Sequence, residues 1–151
     1  MITPVSPALR RLAVLPLAIG LAMAPALAAH ADESFEPLSG VTIDGASVGA
    51  ADAGGAARLL MRIDNASGRK ITLLGLRAEI ADSGALTVAP DGAARQDARS
   101  FVLLDQETLD LGSSHIGAEL RGLRHPIHPG ELIEFELIFA VGAVAGAAHV
   151  H

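Results

Sequence analysis

In the stretch ARLLMRIDN, residues 57–65, Leu59, Met61 and Ile63 alternate with Arg58, Arg62 and Asp64. A period of two belongs to a strand with one buried and one wet face, so this segment is predicted to be a half-buried β-strand. NASGRK supplies a turn through Asn65, Ser67 and Gly68, and ITLLGLRAEI forms the next strand. Residues 81–99 are rich in Ala, Gly and Asp, with PDG marking a turn beside the short strand LTVAP. SFVLLD and ETLDLG read as two further short strands. HIGAELRGL sets Ile116, Ala118 and Leu120 on one face against His115, Gly117, Glu119 and Arg121 on the other. After the turn HPGE, LIEFELIFA aims Ile133, Phe135, Leu137 and Phe139 inward and Glu134 and Glu136 outward. Short strands separated by turns, with no sustained helical period, predict an all-β sandwich or barrel. ADAGGAA is expected to be a loop because of its glycines.

The N-terminus breaks this pattern. Arg10 and Arg11 precede an apolar run from Leu12 to about Leu27, and the small-residue patterns ALA and AHA follow. This is the plan of a secretory signal peptide, expected over residues 1–31, with cleavage after Ala31 or alternatively after Ala28. The run is short for a membrane span and contains Pro16 and Pro25, so no membrane insertion is expected after cleavage. A polar linker over residues 32–40 then leads to one domain, residues 41–151. Loss of Arg10 and Arg11 removes two basic and no acidic residues, so the formal charge moves from −6 to −8. Such an acidic chain argues against nucleic acid and anionic membrane as partners. Cysteine is absent, which excludes thiolate catalysis and thiolate metal binding and leaves stability to packing.

The segment ETLDLGSSHIGAELRGLRHPIHPGELIEFELIFA resembles the C-terminal half of the PCu(A)C family of periplasmic copper chaperones, and AARLLMRIDNASGRKITLLGL resembles its strand-turn-strand upstream half. The likeness runs from about Val41 to Val144. It implies a small cupredoxin-like Greek-key β-sandwich, a periplasmic location, copper as cargo, and a periplasmic or membrane-bound protein acceptor. In the resemblance Asn65 aligns with the family's turn asparagine, so the Asn-Ala-Ser sequon is read as a turn. The family holds copper(I) with two His and two Met. Aligning Leu120, Arg121, Gly122 and Leu123 on its Leu-Met-Gly-Leu puts the late His on Gly117, the Met on Glu119 and the early His near Thr87. None of these is a soft ligand. Met61, the one methionine beyond the signal segment, lies on the core-facing side of its strand.

Two replacements for that site present themselves. His115 lies two residues before Gly117, hence on the same strand face, and Glu119 adds an oxygen ligand suited to copper(II) or zinc. At the C-terminus an extended AAHVH puts His149 and His151 on one face, about 7 Å apart. A displaced copper site is therefore expected at His115, His149 and His151. His125 and His128 are expected to be exposed turn residues. His30 enters only if cleavage follows Ala28, since its imidazole then joins the new amino terminus as a copper(II) chelate. No motif of hydrolases, nucleotide enzymes or zinc proteases occurs, and Ser113, Ser114 and His115 are strand neighbours facing alternate sides, so no enzyme is expected. Two readings follow: a metal carrier with a degraded or displaced copper site, or a metal-free interaction module of the same fold.

Overall fold

The computed structural model describes residues 37–113 and 115–151, so the expected signal segment and most of the linker lie outside the described residues. The strands are β1 Val41–Val48, β2 Ala56–Asn65, β3 Ile71–Arg77, β4 Ala81–Val88, β5 Gln96–Ala98, β6 Phe101–Leu103, β7 Thr108–Asp110, β8 Ile116–Leu123, β9 Leu132–Phe139 and β10 Gly142–Val150. A single 3₁₀ turn, Pro90–Gly92, separates β4 from β5. One hydrogen-bonded path orders them β5-β4-β8-β2-β1-β10-β9-β3-β6, with β7 added onto β2. β1 and β10 pair in parallel through Ser47 and Val48 with His149 and Val150, and the other pairings are antiparallel.

The path curls until β4 and β3, each next to one of its ends, lie against each other. Gly84 on β4 lies so close to β3 that a Cβ there would stand 2.2 Å from the Leu76 carbonyl oxygen, a distance only glycine permits. The inward residues of the alternating strands fill the space between: Leu59, Met61 and Ile63 from β2, Ala118 and Leu120 from β8, Ile133, Phe135, Leu137 and Phe139 from β9 are all buried. The expected all-β sandwich is thus the fold observed. Ahead of β1, Leu38 donates its N–H to the Ala143 carbonyl at 3.0 Å and buries its side chain.

β1 and β10 were not legible in the sequence. In β1 the pairing slips between Asp44 and Ser47, where Gly45 adopts a φ of 61°. Val41 faces the core before the bulge and Val48 after it, so the inward positions change parity and the period of two is lost. β10, GAVAGAAHV, offers only small residues inside, and its pairing with β9 from Gly142 to His149 defines it. The loop expected at ADAGGAA is a turn that feeds β2.

Asn65 ends β2 and is, among the described residues, one of two buried polar ones. Its Nδ2 donates to the carbonyls of Arg69 at 2.8 Å, Leu104 at 2.8 Å and Leu103 at 3.3 Å. Its Oδ1 accepts from the Ser67 N–H at 3.1 Å and the Ser67 hydroxyl at 2.6 Å. One amide therefore holds the β2–β3 turn and the end of β6 together, and it is not available as a glycan acceptor. Replacing Asn65 with Leu removes these bonds and strands buried carbonyls, at about 1–3 kcal/mol for each group left unpaired. Asn65→Leu is expected to lower stability by about 3 kcal/mol and the melting temperature by roughly 10 °C, measured by calorimetry beside the parent chain.

Candidate functional site

β8 is paired along both edges, and its registers decide what meets on the outer face. On one side Thr87 lies opposite Gly117 and Ala85 opposite Glu119. On the other side Arg58 lies opposite Glu119. The three positions that the family resemblance assigns to copper ligands, Thr87, Gly117 and Glu119, are therefore neighbours on one face of β4 and β8. This face points away from the core, yet Thr87 and Gly117 are buried.

Arginine covers them. The Arg95 Nη1 donates to Thr87 Oγ1 at 3.2 Å. A Cβ placed on Gly117 would lie 2.9 Å from that Nη1, 3.1 Å from Thr87 Oγ1 and 3.5 Å from Arg58 Nε. Arg58 donates from Nη2 to the Ser113 carbonyl. Its Nε is buried and has no hydrogen-bond partner. The Arg95 guanidinium and the Thr87 hydroxyl thus fill the side-chain space beside Gly117, with Arg58 Nε at its edge.

The nearby carboxylates are held by a different cation. Arg121 forks onto Asp97, Nη1 to Oδ2 at 3.0 Å and Nη2 to Oδ1 at 2.7 Å. It also reaches Glu119 Oε2, from Nε at 3.3 Å and Nη2 at 3.1 Å. The hydrogen bonds from Arg121 draw the Asp97 carboxyl below the usual carboxylate range, and the same bonds push the Arg121 guanidinium further up.

These groups do not fit copper(I). The ion needs soft, electron-donating neutral or thiolate ligands, whereas a guanidinium is a cation without an acceptor lone pair. Met61 is in the core at 2% exposure and cannot supply a thioether to this face.

The expected histidine site does not assemble as a triad. His115 is exposed just ahead of β8, its carbonyl accepting from the Ala89 N–H at 2.6 Å. His149 lies on β10, and β2 and β1 stand between β8 and β10 in the sheet, three strand spacings or about 14 Å along it. Among the described residues there is no group of three His, Cys, Asp or Glu that could hold a metal. His149 and His151 are both exposed. Their backbone is fixed: His149 pairs with Ser47 and Leu132, and the His151 N–H donates to the Val48 carbonyl at 3.1 Å. His149 also borders a shallow groove of about 590 Å³, which opens where β1 and β10 part company at residues 41–46 and 144–147.

His125 and His128 are exposed in their turn, flanking Ile127, which is 1% exposed and anchors the turn in the core. The Ser113 hydroxyl accepts from the Ile116 N–H at 3.3 Å, at the entry to β8. The arginine cluster was not anticipated from sequence. The only hint is negative: Gly117 stands where a ligand was expected, and Arg58 lies on the outward side of a clean alternation.

No family model matches the chain, and no curated protein does. Solved structures do. The copper-bound PCuAC domain from PmoF2 aligns with a TM-score of 0.64 at 19% identity, covering 78% of this chain and 97% of that one. The apo PCuAC domain from PmoF1 gives 0.65 at 18% identity, covering 78% and 98%. The copper(I) form of DR1885 from Deinococcus radiodurans gives 0.59 at 23% identity, covering 80% and 82%. The chain therefore has the fold of these PCuAC domains and of DR1885, over about four fifths of its own length.

The Asp97 shift carries a pH sign. A carboxyl drawn down in the folded state stabilises that state above the ordinary carboxylate range, and the contribution fades as pH falls through the lowered value. Both groups are exposed, so the effect on stability is small. In Arg121→Met the Asp97 carboxyl is expected to titrate at higher pH than in the parent, measured by carboxyl carbon NMR.

Proposed function

We propose that the chain is an exported, non-enzymatic binding module on the copper-chaperone sandwich, in which the family's copper(I) position has been given over to arginine chemistry. The observation that carries this reading is the convergence of Arg58 and Arg95 on Gly117, opposite Thr87. Positive charge there opposes entry of a cation, and no thioether or imidazole is among the groups that meet at that point. The signal-like N-terminus supports a periplasmic setting, and the acidic charge supports a protein acceptor, periplasmic or membrane-bound, over nucleic acid.

A second reading is favoured by one observation of its own. The C-terminal histidines are exposed together on a strand whose backbone is held on both sides. His149 and His151 then form a two-imidazole handle for copper(II) or zinc, the carrier function being displaced from β8 to the chain's end, with further ligands from water or the acceptor.

The two readings separate in a metal titration. In competition with a copper(I) chelator the parent chain is expected to take up no copper(I) more tightly than a short histidine tag. Uptake of one equivalent with high affinity would sink the first reading. Copper(II) binding in the micromolar range or tighter that survives His115→Ala but disappears on removal of residues 149–151 would establish the second.

A further inference from the structure

We infer that β6 is a self-association edge, through which two copies of the chain join antiparallel about a two-fold axis at Val102. The inference goes beyond the binding-module reading and holds whether or not metal is carried. The strand path ends at β5 and β6, and each has one edge without a strand partner among the described residues. β5 is Gln96, Asp97 and Ala98, with Asp97 tied to Arg121. A polar, charged end strand resists pairing with another chain. β6 is Phe101, Val102 and Leu103, with neither charge nor proline to blunt it. Its backbone is aimed for pairing. The Thr72 carbonyl accepts from the Ala140 N–H, so the main-chain groups of Thr72 point toward β9 and away from β6. Val102 lies opposite Thr72 in the antiparallel β3–β6 pair, so the Val102 N–H and C=O point away from β3, onto the open edge.

The side chains suit a second copy. Among the described residues five large apolar side chains are exposed, and four of them, Leu74, Val102, Leu104 and Val141, belong to this end of the sheet. Leu74 lies two residues along β3 from Thr72, and Val141 follows the Ala140 that bonds Thr72. Pairing about Val102 sets that residue directly opposite its own counterpart, with residue 100 opposite 104 and residue 99 opposite 105. Arg99 of each copy then faces Asp105 of the other, giving two opposite-charge contacts related by the axis. Both residues are exposed, and Asp105 already holds its place in the turn by accepting the Gly68 N–H at 2.9 Å. The formal charge of −6 repels two copies overall, and three-residue strands bury less than a standard interface, so the dimer is weak and concentration-dependent.

The test is sedimentation velocity on the full-length protein, from about 10 µM to about 1 mM chain. A reversible passage from monomer to dimer is expected, stopping at the dimer because a two-fold contact closes on itself. Over the same range the Val102 amide proton is expected to shift downfield by NMR, as its N–H gains an acceptor. Val102→Lys sets like charges opposite each other across the axis and removes apolar contact, and is expected to weaken association about tenfold or more. Arg99→Glu leaves β6 itself unchanged and sets acid against Asp105 in both outer contacts. It is expected to weaken association several-fold, which tests the register even where Val102→Lys unfolds. A monomer at every concentration, growth beyond the dimer, or a dimer of unchanged affinity in either folded variant would overturn the proposal. None of these outcomes bears on the copper(I) titration, so the loss of this edge and the loss of the metal-free reading are told apart.

Discussion

β8 is the constraint on which the rest of the domain depends, because it is hydrogen-bonded along both edges. Leu59 and Ala57 on β2 fix Ala118 and Leu120 from one side, and Leu86 and Gly84 on β4 fix them from the other. A slip of one residue would turn Glu119 and Arg121 into the core and expose Ala118 and Leu120, so the register is held by the full cost of burying charge. The same register that protects the core brings Thr87, Gly117, Glu119 and Arg58 side by side on the outer face. The site is a consequence of core packing.

On that face the absence of one side chain decides the chemistry. A larger residue at 117 would stand off the arginines. Glycine instead lets Arg95 lie over β8, close enough for its Nη1 to bond Thr87, and Arg58 packs beside it. The result is an outward surface that is partly dry and positively charged, on a chain whose overall formal charge is negative. The fold shared with PCuAC domains thus presents two arginines and a threonine on this face.

The opposite end of the sandwich is held by Asn65, whose amide joins the β2–β3 turn to the end of β6. Its carbonyl oxygen serves the turn and its nitrogen serves three backbone carbonyls, so every polar group it buries is paired. The β8 site and the Asn65 hub lie at different ends of β2, the one at Arg58 and the other at its last residue. The two sites are therefore held by separate sets of bonds.

The amino-acid sequence by itself determined the strands whose two faces differ in polarity, β2, β8 and β9 above all, because alternation along a pleated chain is a local property. It also determined the turn at Asn65, the burial of Met61, the exposure of His125 and His128, and the absence of imidazole and thioether from the positions of the family's ligands. β1 and β10 were hidden because a bulge changes parity in one and small side chains blur the two faces of the other. Their pairing is non-local. The tertiary structure alone decided that Arg58 and Arg95, 37 positions apart in the chain, would meet over Gly117. It decided equally that His115, just ahead of β8, would be set three strand spacings away from the strand bearing His149. Both outcomes follow from strand order and register, which depend on contacts between distant segments, and no periodicity within a segment encodes them.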